Sequence, residues 1–151
     1  VLKNKKIDAE IQINVKNDFY VKPYFEMISV IRNLVMNSAE AFGESSGKIR
    51  ITVEEDDRDY LIIEYDNGPG MSEECLQSMF LDGFSTKFDE KTGNIQRGLG
   101  LPLVKHYVEE IFKGTIEAES KEGEYSRFIV RIPESTVLQW QKEEKDEVLY
   151  R

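Results

Sequence analysis

The chain has 151 residues, 40% of them hydrophobic and 32% charged, which is enough for one ordinary domain with a core of its own. Its net charge of −9 disfavours a nucleic-acid partner, because phosphate binding draws on clustered Lys and Arg. A single cysteine, Cys75, excludes an internal disulfide and a thiolate zinc site, and no apolar run approaches the roughly 20 residues that span a bilayer.

From Ile7 to Val15 apolar and polar residues alternate without a break, the period of a half-buried strand. After Pro23, the stretch YFEMISVIRNLVMNSAEAF predicts a long amphipathic helix, with Ile28, Ile31, Leu34, Val35, Ser38, Ala39 and Phe42 on one stripe and Gly43 as its stop. Ile49, Ile51 and Val53 alternate again, EDDRD makes a turn, and Tyr60 to Tyr65 is a β-branched and aromatic run, giving a hairpin that ends at Asp66. Ser72 reads as the N-cap of a short helix carrying Leu76, Met79 and Phe80, with Glu73 and Glu74 placed well for its dipole. Cys75 falls in it as a small, half-buried apolar residue. Residues 81–97 carry many turn formers and little periodicity, which predicts a long surface loop. A second amphipathic helix from Gly100 places Leu101, Val104, Val108, Ile111 and Phe112 on one face, with Gly114 past its end. Strands follow at Thr115–Ser120 and Tyr125–Ile132, joined by KEGE. Beyond residue 133 comes a charged tail, 134–151, in which Val137, Leu138 and Trp140 suggest a short docking helix. The expected architecture is α+β, a two-layer sandwich with a mostly antiparallel sheet of about five strands and three helices on one face.

Three features bear on chemistry. Asn33 and Asn37 are four apart on the long helix and share a face, on a stripe expected roughly opposite the apolar one. They are either solvated polar residues or neutral oxygen donors lining a cavity, a type that suits Mg²⁺. Asp66 ends a strand and is followed by Asn67, Gly68, Pro69 and Gly70. It either bonds its own turn or offers a carboxylate to an adenine amine, with Gly68 and Gly70 allowing close approach. Arg97, Gly98, Leu99, Gly100 and Leu101 put a Gly-x-Gly at the mouth of a helix, where backbone N–H groups and the helix dipole favour an anion. By itself a Gly-x-Gly is a weak signal, and here a loop rather than a strand precedes it.

Taken in order, NLVMNSAEAF, DNGPGM, MFLDGFSTK and RGLGL resemble the asparagine box, first glycine box, phenylalanine box and second glycine box of the histidine-kinase and gyrase-like (GHKL) ATPases. The resemblance covers roughly residues 5–133, and DNGPGM with GFSTK is its most specific part. It implies the Bergerat-type sandwich, with ATP held between the long helix and a lid at residues 81–97. Carried over residue by residue, Asn37 would ligate Mg²⁺ and Asn33 would lie near the phosphates with a catalytic role. Asp66 would read the adenine amine in a pocket shaped by Gly68, Gly70 and Met71. Phe80 and Phe84 would anchor the lid, with Ser85, Thr86 and Lys87 near the polyphosphate and Lys87 neutralising charge on the transferred group. Arg97, Gly98, Leu99 and Gly100 would meet the phosphates, and Leu101 would pack beneath them.

The gyrase-like branches carry a water-activating glutamate where this chain has Asn33. An amide is no general base, so transfer to a protein side chain is preferred over hydrolysis. The resemblance thus implies the catalytic domain of a two-component sensor histidine kinase, with ATP and Mg²⁺, an upstream histidine-bearing dimerisation domain and a response regulator as its partners. It also implies a cytoplasmic location, leaves membrane anchoring of the full protein open, and points to the subgroup sensing carboxylates or amino acids. The sequence reads as a piece of such a protein, a homodimer when complete. A degenerate docking or phosphotransfer module and a gyrase-like ATPase are the alternatives. Ser38 replaces an alanine usual in the family, Glu40, Ala41 and Phe42 stand where a cationic or aromatic pair is common, and Gln96 takes a frequent glycine position. Phosphate neutralisation would then fall to Lys87, Arg97 or Lys105. His106, the only histidine, lies in the helix after the second glycine box and reads as a partly exposed helix residue rather than a phosphoacceptor.

Overall fold

The computed structural model describes residues 6–81, 88–89, 94–95 and 100–149. Five strands, β1 (Ile7–Asn14), β2 (Gly47–Glu55), β3 (Asp59–Asp66), β6 (Thr115–Lys121) and β7 (Tyr125–Pro133), form one sheet in the order β1-β2-β3-β7-β6. Only β1 and β2 run parallel, so the sheet is mixed and mostly antiparallel, as the hairpins require. Within the stretch expected to be loop, Phe88–Asp89 (β4) pairs with Asn94–Ile95 (β5) in a two-residue ladder.

The helices α1 (Tyr24–Ala41), α2 (Glu73–Ser78), α3 (Gly100–His106) and α4 (Glu134–Leu149) make four, one more than the sequence suggested. The extra one is the charged tail, whose 16-residue helix buries Val137 and Trp140. Trp140 packs edge-on against Phe112, with ring centroids 5.8 Å apart. Those two apolar side chains, with Lys22 paired to Glu143 and Glu147, hold the otherwise polar helix on the domain. Strand β7 shows the layering directly: Ser126, Phe128, Val130 and Ile132, all of one parity, are buried. They share a core with Met27, Val30 and Leu34 of α1, Met79 after α2, and Val104, Val108 and Phe112 of the third helical segment.

Two periodicity readings differ from the structure. The buried stripe of α1 is Met27, Val30, Leu34 and Ser38, not the one centred on Ile28 and Val35, and Ile28 is exposed. The helix is rotated toward its Asn33 side, so Asn33 and Asn37 flank the core face instead of opposing it. Strand β1 alternates as expected, yet Ile11 is 67% and Ile13 63% exposed. Alternation sets which residues share a face, but cover comes from a second layer, and no described element covers this edge strand. A smaller shift occurs after α3, where residues Tyr107–Ile111 form a π-helical turn closed by the Phe112 N–H on the Tyr107 carbonyl at 3.0 Å. The wider turn carries Phe112 into the core and leaves Ile111 at the surface.

Candidate functional site

The last inward positions of β3 are Ile62, Glu64 and Asp66, all buried. Asp66 combines two attachments: its Oδ1 accepts the Gly68 N–H at 2.9 Å, and its Oδ2 lies 2.6 Å from Ser38 Oγ of α1. The carboxylate thus bonds its own turn and is also tied to the helix that carries the asparagine pair. Ser38 Oγ lies 2.6 Å from Glu64 Oε1 as well, so one hydroxyl bridges two buried carboxyls. Burial raises both carboxyl pKa values, for Glu64 up to about 8, against the lowering effect of the Ser38 bond. For Asp66 the Gly68 N–H adds a second lowering contribution, so its ionised form is the better supported of the two.

Asn33 and Asn37 are half-buried on one face of α1, and Asn37 directly precedes Ser38. The Asn33 amide donates to the Ser29 carbonyl at 2.7 Å, one turn back. This fixes the side chain along the helix and confirms an amide where a water-activating base would need a free carboxylate.

The DNGPGM turn is held by protein contacts. At Gly68 a Cβ would meet Asp66 Oδ1 at 2.9 Å and the Phe42 ring at 3.2 Å. Gly70 has φ +70°, and a Cβ there would sit 2.3 Å from the Lys121 carbonyl oxygen. The Pro69 carbonyl accepts the Gly123 N–H, and the Met71 N–H donates to Ser120 Oγ at 2.7 Å, so the turn is sewn onto the β6–β7 connection. Both glycines are thus required by the fold before any base is considered. Ser72 caps α2 as expected, accepting the Cys75 N–H at 3.2 Å, and burial raises the half-buried Cys75 thiol pKa.

At the other end of the site, Phe80, Leu101 and Met71 are partly buried against the common core. Gly100 opens α3. Lys105 of that helix lies over the Phe80 ring, 6.0 Å from its centroid, and pairs with Glu109 at 3.8 Å. His106 is exposed. Phe84, Ser85, Thr86, Lys87, Arg97, Gly98 and Leu99 lie outside the described residues. Glu64 was not singled out in the sequence, and Ser38 only as a departure. The available signal was a glutamate at an inward position of an otherwise apolar strand, two residues before Asp66.

A mixed five-stranded sheet covered by helices on one face, with a buried Asp66 opening an Asp-Asn-Gly-Pro-Gly turn against an asparagine-bearing helix, defines an ATP-binding domain of the GHKL class. The chain matches the family model of the histidine kinase-, DNA gyrase B- and HSP90-like ATPases over residues 25–136, well over half its length, and it belongs to that family. Within it, the histidine kinase branch is the one it fits. The catalytic domain of histidine kinase ThkA, in a nucleotide-free form, is 32% identical with a TM-score of 0.67, covering 84% of this chain and 80% of that one. Sensor histidine kinase DcuS of Escherichia coli (strain K12) is 38% identical over 109 residues, 71% of this chain and 19% of DcuS. Sensor histidine kinase GlnK of Bacillus subtilis (strain 168) is 32% identical over 136 residues, 89% of this chain and 32% of GlnK. The chain therefore spans a fifth to a third of these sensor kinases and corresponds to their catalytic portion. ATP is the nucleotide of this family. Among the described residues no helix is long and apolar enough to cross a membrane.

Proposed function

We propose that this domain binds ATP with Mg²⁺ and transfers the γ-phosphoryl group to a histidine of an upstream dimerisation segment of the same protein. The observation that carries the reading is Asp66, buried at the end of β3 and held by Gly68 and Ser38 beside the asparagine face of α1. A carboxylate so fixed is an acceptor for the adenine 6-amino group. Met71, Phe80 and Leu101, packed against the common core, would supply apolar surface for the base, and Gly100 begins α3, whose first N–H groups would meet phosphate. Asn33 would approach the phosphates. Of the lid residues, Phe84, Ser85 and Thr86 would close over the nucleotide, while Lys87 and Arg97, with Gly98 and Leu99, would offset phosphate charge.

The donor chemistry suits the cation. Asn37 offers a neutral amide oxygen, and among the described residues no cluster of three or more His, Cys, Asp or Glu forms a dedicated cage. Mg²⁺ is commonly held in this way, by few protein oxygens with phosphates and water completing the shell. When bound it supplies charge neutralisation across the phosphates.

In the transfer, the imidazole nitrogen forms a bond to the γ-phosphorus as the bond to the β,γ-bridging oxygen breaks and ADP leaves. Asn33, its amide turned onto Ser29, cannot take a proton from water, which favours a protein acceptor over hydrolysis. One solved ThkA structure, 27% identical with a TM-score of 0.67 over 86% of this chain and 35% of that one, is a complex with response regulator TrrA. It supports a response regulator as the downstream partner here. A probable C4-dicarboxylate sensor kinase of Halalkalibacterium halodurans, 30% identical over 141 residues, 88% of this chain and 25% of that protein, favours a carboxylate stimulus. Calorimetric titration with ATP and ADP, with and without Mg²⁺, on wild type and Asp66→Asn tests the reading. Binding that weakens in the variant supports it, and absence of binding at millimolar nucleotide replaces it with a docking module.

A further inference from the structure

Among the described residues Glu64 is the one fully buried carboxyl that the proposed chemistry leaves unused. It is 1% exposed, and its cross-strand partners are the apolar Ile51 on β2 and Phe128 on β7. Two carboxyl oxygens, Glu64 Oε1 and Asp66 Oδ2, each lie 2.6 Å from Ser38 Oγ. A hydroxyl has one proton and can donate to only one of them. An O···O distance of this size without a proton between the atoms would set two lone pairs against each other, so the second contact needs a proton from a carboxylic acid. Asp66 is the less suitable holder, because its Oδ1 accepts the Gly68 N–H, a bond that favours the carboxylate. Among the described residues Glu64 Oε1 has Ser38 as its partner and no such backbone donor, and Glu64 is the more deeply buried of the two.

We propose that Glu64 carries the proton of a Glu64–Ser38–Asp66 chain and so acts as a positioning residue that fixes Asp66 as an ionised, acceptor-only carboxylate. The chain runs in one direction: the Glu64 acid donates to Ser38 Oγ, and the Ser38 hydroxyl donates to Asp66 Oδ2. With its oxygen occupied by Glu64, the Ser38 hydroxyl is held toward β3 and not turned back onto the carbonyl of its own helix, the usual alternative for a helical serine. An acceptor-only Asp66 matches a purine with a 6-amino group, whereas a 6-oxo purine has an acceptor at that position and its N–H only at the neighbouring N1. The opposite arrangement, a neutral Asp66 donating from Oδ2 to Ser38 Oγ beside a charged Glu64, would leave the site a weaker, uncharged acceptor and lessen that preference. This inference rests on the assignment of Asp66 to the adenine pocket, and Glu64 adds to it the direction of the hydrogen-bond chain.

The test has two parts on the full 151-residue chain. The first is the infrared spectrum near neutral pH of wild type, Glu64→Gln and Asp66→Asn without nucleotide. A protonated-carboxyl band is expected in wild type and Asp66→Asn and absent from Glu64→Gln. A band that survives in Glu64→Gln, or no band in wild type, overturns the proposal. The second is calorimetry with ADP and IDP in EDTA. Glu64→Gln, which keeps a neutral N–H donor for Ser38, should discriminate as wild type does, whereas Glu64→Leu should lose several-fold of the preference for ADP. A Glu64→Leu variant that folds and discriminates like wild type also overturns it. Wild type that binds neither nucleotide refutes the ATP-site assignment instead, and the infrared result then still decides where the proton lies.

Discussion

Replacing Glu64 by Gln should make the domain more stable at neutral and mildly alkaline pH, and by a margin that depends on pH. In the fold the carboxyl keeps its proton to about pH 8, because desolvation dominates and Asp66 adds like-charge repulsion, while an unburied glutamate releases it near 4.5. Among the described residues the groups facing it are Ser38 from α1, Ile51 from β2 and Phe128 from β7, and the charge that acts on it is that of Asp66. Since the folded pKa is raised, the unfolded chain binds fewer protons than the fold between these limits. The contribution is therefore fully present below about 4.5 and lost as pH climbs toward 8. Each pH step in that window costs about 1.4 kcal/mol, giving roughly 3 kcal/mol at neutral pH as an upper figure. Gln is neutral throughout and keeps a donor for Ser38, so the gap between variant and wild type isolates this group. Urea denaturation of both proteins at intervals from about pH 5 to 8 reads it as a diverging pair of midpoints. Parallel curves would show that Glu64 is ionised in the fold, and the reasoning would fail.

Asp66→Asn should weaken ADP binding by about 1 to 3 kcal/mol, roughly ten- to hundredfold, measured by calorimetry, because a buried partner is left mismatched. Asn37→Ala should abolish Mg²⁺-dependent ATP binding and phosphoryl transfer while leaving Mg²⁺-free ADP binding measurable. Gly70→Ala forces a Cβ to within 2.3 Å of the Lys121 carbonyl at φ +70°, so a loss of about 1 to 3 kcal/mol is expected in the unfolding midpoint. Trp140→Ala removes the α4 side chain seated on Phe112 and should lower stability by about 3 to 5 kcal/mol, read as a fall in Tm. A small change there would show that α4 is an appendage and not part of the fold.

The strands and helices were legible because their signals are local: strict alternation at Ile7–Val15, a proline start and glycine stop around α1, and Ser72 ahead of two glutamates. Their cover was not legible, since it depends on what lies across from each face. Ile11 and Ile13 alternate as well as Ile49 and Ile51, yet only the second pair has helices above it. The rotation of α1 is the same kind of error, because Met27 and Val30 compete with Ile28 and Val35 for the core and periodicity alone ranks them equally. In the tail Val137 and Trp140 dock a helix as expected, but the helix runs over 16 residues and leaves Leu138 exposed, because among many charges the few apolar residues mark the contact and not its length. At the site, Asp66, Asn33 and Asn37 stood out by type and order. Ser38 and Glu64 did not, since a serine in a helix and a glutamate in a strand acquire meaning only when α1 is laid across β3.

The bonds that Asp66 makes to its own turn do not preclude the proposed contact with adenine. A carboxylate has about four acceptor positions, and Gly68 and Ser38 use two, one on each oxygen. The group is thus oriented by the fold while each oxygen retains a lone pair for an incoming amine. Such an acceptor needs no rotamer ordering on binding, a cost of about 0.5 to 1.5 kcal/mol for a mobile side chain. Ser38→Ala separates the two contributions. The Gly68 N–H would still donate to Oδ1 and hold part of the orientation, but Asp66 Oδ2 would lose its donor and Glu64 its acceptor. ADP affinity in Ser38→Ala should fall less than in Asp66→Asn. If instead the two variants lose affinity equally, Ser38 contacts the base itself, and the hydroxyl belongs to the recognition surface, not only to its support.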